Sequence, residues 1–284
     1  DSRIRFIECK SNSGAAYYPR AEAVKASRGE WIHCVDADDY DSLDCMQKMV
    51  ERAEETNADA IYPVAKFVTE DGKELPLQIP IVGFNYKQNV SGYNAFKMTI
   101  GGWQINANGC LVKRDIYLKS LADYELDGAA DTNTDEILTR VILLNSRIVA
   151  FSDAINYRRE NPTSITRAIS VKTYGVLKPY YQLIGIVKEY FPEDKGMQVK
   201  TEFMLWKFLN GCAVSFETDK RHFSEAQRQK IKELIHYYWE RIDKDMMKNQ
   251  YGLLGLNNWL LFKLKAKIIS SLSQLKQIIK KIKY

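Results

Sequence analysis

Three carboxylates, Asp36, Asp38 and Asp39, stand directly after the short apolar run 31–35 (Trp-Ile-His-Cys-Val). A run of that length between turn residues reads as a buried strand, so the acids fall where a strand opens into a loop. Carboxylates spaced one apart at a strand end can both face an open sheet edge and offer hard oxygen ligands to Mg2+ or Mn2+. A metal held there can neutralise a diphosphate leaving group as a Lewis acid and template. The other use of the same residues is a solvated acidic turn capping the helix that starts near residue 43.

A second group of acids, Asp131, Asp135 and Glu136, lies at the head of the helical pattern 135–145. An acid at a helix N-terminus is kept ionised by the dipole and the unpaired N–H groups, so it can accept a proton as a general base. Helix capping asks for the same placement. Arg20 lies in a helical stretch. Arg158 ends a strand-like stretch, where it reads either as a ligand for a diphosphate or as a surface arginine. Trp103, after Gly101 and Gly102, can stack on a sugar ring or fill the core. His33, His222 and His236 have no metal-ligand spacing; His33 reads as an ordinary strand residue.

The elements that must position these groups alternate between strand-like and helix-like over the first 160 residues, the pattern of an α/β domain. The sequence predicts strands at 3–9, 31–35, 58–68 and 109–113, and two short strands at 147–151 and 154–157. Helices are predicted at 19–27, 43–55, 91–100 and 135–145, with Asp41 or Ser42 capping the second, and a hairpin turn at 70–73. Beyond residue 163 the periodicity is helical almost throughout, in segments near 168–190, 196–216, 224–248 and 256–282. The expected division is an α/β domain over 1–162 and a helical region over 163–284 with a basic amphipathic tail at 253–284.

Composition narrows the classes. The 284 residues are 45% hydrophobic, enough for a substantial core. The five cysteines are scattered, with no metal-ligand or redox-motif spacing, which reads as a reducing, cytoplasmic setting. No run approaches the ~20 apolar residues of a membrane span. The net charge of +5 is uneven: no acid follows Asp245, and the eight lysines beyond it leave −3 for the rest of the chain. In that tail Leu256, Leu260, Leu264, Ile268, Leu272, Leu275, Ile279 and Ile282 recur at helical spacing among the lysines. Such a helix suits an anionic membrane surface, which would place the protein peripherally on the inner face of the cell membrane. A bundle helix or a subunit contact in a homo-oligomer is the alternative.

Several spaced elements together resemble the family 2 glycosyltransferases of the GT-A fold, over about residues 1–166. They are Asn12-Ser13-Gly14, Pro19-Arg20, the block Ala26-Ser27-Arg28-Gly29-Glu30-Trp31-Ile32, and Asp36-Ala37-Asp38-Asp39 as the D-x-D motif. Tyr157-Arg158-Arg159 and Ser164-Ile165-Thr166 are similar to the end of many such domains. The resemblance implies a GT-A-like, Rossmann-like mixed sheet followed by the helical region. It implies that Asp36 contacts the nucleotide ribose or donor sugar, that Asp38 and Asp39 sit at the metal, and that Arg20 and Arg158 face the donor. Asp135 matches the family's base, ahead of Glu136 and Asp131, with Trp103 and Glu136 on the acceptor side. Ala21, Ala23 and Thr134 depart from the family's Asn, Gly and Glu. The family's opening strand, helix and strand have no counterpart here, so half the nucleotide pocket is expected upstream of Asp1.

The activity implied is inverting transfer of a sugar from a nucleotide-sugar donor to an acceptor hydroxyl, with Mn2+ or Mg2+. The product would be a cell-surface polysaccharide: capsule, lipopolysaccharide or teichoic acid. The partners are the donor and a glycan or lipid-linked acceptor, with no nucleic acid expected. Two rivals remain. One is a non-catalytic binding or scaffold protein on the same fold, favoured by Thr134. The other is a nucleic-acid binder using the basic tail, which would show salt-sensitive affinity independent of Asp38.

Overall fold

A computed structural model describes residues 2–9, 16–80, 84–102, 105, 109–124, 134–161, 169–251 and 253–282. The chain divides into two compact units, Asp1–Ser164 and Ile165–Tyr284.

The first unit is α/β. Its elements in order are α1 (Tyr17–Ala26), β1 (Trp31–His33), β2 (Tyr40–Asp41), α2 (Cys45–Thr56), β3 (Ala60–Val68), β4 (Glu74–Ile79), β5 (Asn89–Ser91), α3 (Gly92–Lys97), β6 (Leu111–Lys113), α4 (Arg114–Asp123), α5 (Thr134–Asn145) and β7 (Ile148–Arg159). Seven strands form one mixed sheet of order β1-β6-β3-β7-β2, with β4 added to β3 and β5 to β7. Among the described residues only β3 and β7 run parallel; the other pairs are antiparallel. The first six residues of β3 are buried without alternation, as a central strand covered on both faces requires.

Helix α2 shows why the core sits where it does. Cys45, Met49 and Ala53 recur every fourth residue and bury against Ala58, Ile61, Leu111, Ala150 and Ala154. The helix stops at Asn57, whose left-handed φ of 50° releases the chain into β3. At the base of the sheet Asp59, 2% exposed, receives Nζ of Lys113 at 3.0 Å, Nη2 of Arg147 at 3.0 Å and the Arg147 N–H at 2.8 Å. One buried carboxylate thereby ties the starts of β3 and β7 to the end of β6.

Several expectations are corrected. Residues 2–9 form no strand: Ile4 and Phe6 are 77% and 89% exposed, and no described strand offers them a ladder. The two short strands near 147–157 are one continuous strand, β7, because a bulge between its Tyr62↔Phe151 and Val64↔Ile155 pairs carries Ser152 and Asp153 within the strand. Helix α4 was not foreseen. Helix α2 starts at Cys45 after Asp44, and neither Asp41 nor Ser42 caps it; the Ser42 hydroxyl donates to Asp44 instead, at 2.7 Å.

The second unit is helical: a 3-10 turn at Val171–Val176, then α6 (Leu177–Tyr190), α7 (Lys195–Asp219), α8 (Glu225–Arg241), α9 (Lys244–Tyr251) and α10 (Trp259–Ile282). Helix α7 packs against α6, α8, α9 and α10, and buries Leu205, Trp206, Leu209, Ala213 and Phe216. Helix α8 opens on a capping box between Ser224 and Gln227. The helix expected over 224–248 is broken at Ile242, whose backbone is extended, and Asp243 restarts it by accepting the Met246 N–H at 2.9 Å. Among the described residues no helix is long and apolar enough to cross a membrane.

Candidate active site

The acidic loop, residues 34–39, begins at β1 and ends at β2, the two ends of the strand order. It is pinned at several points. The Cys34 carbonyl accepts the Gly109 N–H at 3.2 Å, and the Asp39 N–H turns back onto the Asp36 carbonyl at 3.0 Å. Tyr40 and Asp41 then pair with Tyr157 and Asn156 of β7, so the acids lie beside the strand end that carries Arg158 and Arg159.

Each acid has a different neighbour. Asp36 accepts Nη2 of Arg20 at 2.5 Å, in an ion pair whose side chains are 16% (Arg20) and 37% (Asp36) exposed. Asp38 is exposed and accepts Nδ2 of Asn161 at 3.0 Å. Asp39 accepts the Arg159 N–H at 3.1 Å. Burial pushes the Asp39 carboxyl above the usual carboxylate range; the charges of Asp36 and Asp38 add to this, while the Arg159 N–H and Arg158 oppose it.

Two buried guanidiniums link this loop to the second acid group. Burial opposes the charge of Arg20, yet Asp36, Tyr117, Cys34 and Asp135 together hold it above the ordinary arginine range. Arg158 falls below that range because burial outweighs the attraction of Asp39, Asp36 and Asp135. Asp36 and Asp135, 99 positions apart in sequence, therefore act on the same two cations. Asp135 is half-buried in the first turn of α5. The fold thus brings Arg20, Arg158, Asp36, Asp39 and Asp135 into one electrostatic cluster, with Asp38 on its exposed side.

Glu136 pairs within its own helix. Its carboxylate lies 3.4 Å from Nη1 of Arg140, a fully buried residue that also donates to Oγ1 of Thr99 at 3.0 Å. Asn12, Ser13, Gly14, Trp103, Asp131 and the Ser164-Ile165-Thr166 segment lie outside the described residues, as does the side chain of Thr134.

Sequence reasoning missed two features of the cluster's frame. His33 lies in β1 as expected, and its side chain adds a contact that the sequence did not announce: Nε2 stands 2.7 Å from Oδ2 of Asp41, and Nδ1 stands 3.2 Å from the Cys110 carbonyl. Asp41 also accepts Nδ2 of Asn156 at 2.9 Å. Tyr40 stacks on Tyr157 at 4.9 Å between centroids, with the Arg159 guanidinium 5.5 Å from the Tyr40 ring. Tyr40 and Tyr157 form one register pair of β2 and β7, so their stacking has meaning only once the register is known.

The donor set suits a divalent metal shared with a ligand. Asp38 and Asp39 offer hard oxygens, and the local excess of negative charge that raises Asp39 is one a cation would relieve. Among the described residues no three acidic, histidine or cysteine side chains converge to hold a metal by themselves. Mg2+ in phosphate-handling sites is commonly bound by one or two carboxylates and completed by phosphate oxygens.

Comparison with known proteins bears on the fold and on the N-terminal residues. Residues 1–116 match the model of the family described as glycosyl transferase family 2. The chain is 20% identical over 230 residues to the poly(ribitol-phosphate) beta-N-acetylglucosaminyltransferase TarP of Staphylococcus aureus, spanning 78% of this chain and 67% of TarP. It is 21% identical over 170 residues to the glycosyltransferase GlyG of Streptococcus pneumoniae, spanning 59% of this chain and just 56% of GlyG. Among solved structures, residues 1–349 of S. aureus TarS in complex with UDP-GlcNAc align with a TM-score of 0.61 at 15% identity, covering 96% of this chain and 75% of that one. At that identity the likeness concerns the fold, a GT-A-like sheet followed by helices. The strand, acidic loop and arginine helix all lie within the residues that match the glycosyl transferase family 2 model.

Proposed function

We propose that this chain carries out inverting transfer of a sugar from a nucleoside diphosphate donor to an acceptor hydroxyl of a cell-surface glycan. The observation that carries the reading is the shared cluster: Asp36 and Asp135 acting on the same guanidiniums, Arg20 and Arg158. A diphosphate leaving group needs fixed positive charge where its negative charge develops, and two largely buried arginines supply it without reorganisation. The acceptor needs a base on the opposite side of the sugar from that leaving group.

In this reading the acceptor oxygen attacks the anomeric carbon as the bond to the diphosphate breaks. The hydroxyl proton passes to Asp135, and the nucleoside diphosphate departs with the bonding electron pair. Arg158 faces the departing phosphates. Asp36, oriented by its bond to Arg20, contacts the ribose or the donor sugar. Asp38 and Asp39 would hold Mg2+ or Mn2+, which when bound supplies further neutralisation of the diphosphate. Because TarS is seen with UDP-GlcNAc and TarP acts on poly(ribitol phosphate), UDP-activated sugars and an anionic glycan of the teichoic-acid kind are the first donor and acceptor to examine. A peripheral place at the membrane is a separate proposal, carried by α10.

The test is a thermal-shift series on the full-length protein with nucleotide sugars, with and without Mn2+. A donor at a hundred times its Kd should stabilise the fold by about 2.7 kcal/mol. A flat response to every nucleotide sugar, with and without metal, would overturn the reading. Thr134, where the family has Glu, favours a non-catalytic sugar-nucleotide binder instead. That alternative predicts donor stabilisation with no donor turnover.

A further inference from the structure

Helix α10 is built the wrong way round for a helix that meets only water. Phe262, Ala266 and Ser270, spaced four apart, are its buried positions at 1%, 3% and 3% exposure. They fix it to α7: the Phe262 ring lies 5.4 Å from the Trp206 ring, and the Ser270 hydroxyl is 2.9 Å from that of Thr218. At 100° per residue the opposite side of the cylinder carries Leu260, Leu261, Leu264, Ile268, Leu272 and Leu275. All six are exposed, between 44% and 69%. A solvated helix would carry its polar residues on that side. Docking onto α7 consumes the Phe262 stripe and leaves the leucine stripe for another surface.

The charge around the stripe says which. Lys263 and Lys267 are exposed along one flank. Lys265 is turned inward instead: its Nζ lies 4.8 Å from the Trp206 ring and donates to the Leu254 carbonyl at 3.3 Å. Residues 253–284 hold seven lysines and no acid. A second copy of the same helix would set these cations against one another, with no carboxylate in the segment to offset them. A polyanion such as a nucleic acid would answer the lysines and leave the leucines in water. A surface with anionic headgroups above an apolar interior answers both, and the lysines keep a helix of this length in the interface plane.

We propose that α10 docks on an anionic lipid surface, with the stripe centred on Leu264, Ile268 and Leu272 dipping below the headgroups and Lys263 and Lys267 at their phosphates. The proposal stands independently of the sugar-transfer reading, because none of these residues belongs to the acid–arginine cluster.

The test is co-sedimentation of the full-length protein with phosphatidylcholine vesicles and with vesicles in which about a third of the lipid is phosphatidylglycerol. Anionic vesicles should bind at least about tenfold more tightly than neutral ones, and salt should weaken that binding. Leu264→Gln, Ile268→Gln and Leu272→Gln combined should abolish binding while circular dichroism and transfer to a soluble acceptor are unchanged. Should that variant fail to fold, Lys263→Gln with Lys267→Gln, on the exposed flank, should remove the preference for anionic lipid. No vesicle binding by the folded protein would overturn the proposal, as would undiminished binding by either variant. Light scattering that shows an oligomer, converted to monomer by the stripe variant without any vesicle binding, would assign the face to a second copy. Capture by soluble polyphosphate that ignores the stripe variant, again without vesicle binding, would assign the lysines to a polyanion.

Discussion

Nε2 of His33 and Oδ2 of Asp41 meet at 2.7 Å across the two ends of the acidic loop. His33 closes β1 and Asp41 closes β2, so this contact sets the span that Asp36, Asp38 and Asp39 must bridge. The other ring nitrogen lies 3.2 Å from the Cys110 carbonyl. Burial would raise the Asp41 carboxyl, but the bonds from His33 and Asn156 outweigh it and hold the group below the usual range. His33→Ala should therefore cost about 1–3 kcal/mol in urea unfolding, the range for leaving a part-buried polar group unmet. It should also raise the KM for donor more than it lowers kcat, because it loosens the loop without touching the reacting atoms. An unchanged donor KM with intact stability would remove the clamp role.

The two acid groups should separate kinetically. Asp135→Asn keeps the shape of the first turn of α5 and removes the proposed base, so kcat should fall by about 10² to 10⁴. Stabilisation by the donor should survive that change. Asp38→Asn should do the reverse, weakening the stabilisation by donor and Mn2+ together while leaving the fold intact, since its carboxylate is exposed and accepts the Asn161 amide. Equal loss of donor stabilisation in both variants would contradict the assignment of separate roles.

How much of this was legible in the sequence depends on how local the cause was. The fourfold recurrence of Cys45, Met49 and Ala53 gives α2, and the Glu70-Asp71-Gly72-Lys73 turn gives the β3–β4 hairpin, with Gly72 at a φ of +85°. The α/β alternation followed by helices was readable for the same reason. What was not readable depends on partners distant in sequence. Residues 2–9 alternate like a strand but have no described strand beside them. Ser152 and Asp153 interrupt the apolar pattern of β7, and only pairing with β3 shows that a bulge keeps the strand whole. His33 and Asp41 are eight positions apart, and their meeting follows from the sheet order, which no periodicity encodes. The acids themselves were visible, but their sharing of Arg20 and Arg158 was not.

Asp59 gives a pH prediction with a definite sign. Burial alone would raise its carboxyl, but the bonds from Lys113 and Arg147 hold it below the usual range. A depressed folded-state value means that its contribution to stability is full above the ordinary Asp pKa and is lost as pH falls through the lower folded value. Asp59→Asn should thus cost about 1–3 kcal/mol near neutrality, because a buried position loses the carboxylate that receives Lys113 and Arg147, while those side chains, 24% and 62% exposed, keep water as a partner. The gap from the parent should narrow progressively below about pH 4. Urea midpoints for both proteins across that range would check it, and a gap that widened on acidification would refute the assignment.

Glu136 tests whether an acid beside the proposed base handles substrate or holds the fold. Its carboxylate pairs with Arg140, whose guanidinium is wholly buried and also held by Thr99. Removing the carboxylate leaves the buried guanidinium to Thr99 and the Glu136 carbonyl, at a cost of about 1–3 kcal/mol. Glu136→Gln should therefore lower the melting temperature clearly. At a temperature where the variant is folded, its acceptor KM should match that of the parent, because the carboxylate is spent on Arg140. A raised acceptor KM at unchanged stability would return Glu136 to the acceptor side of the site and leave Arg140 to be held by Thr99 and the backbone.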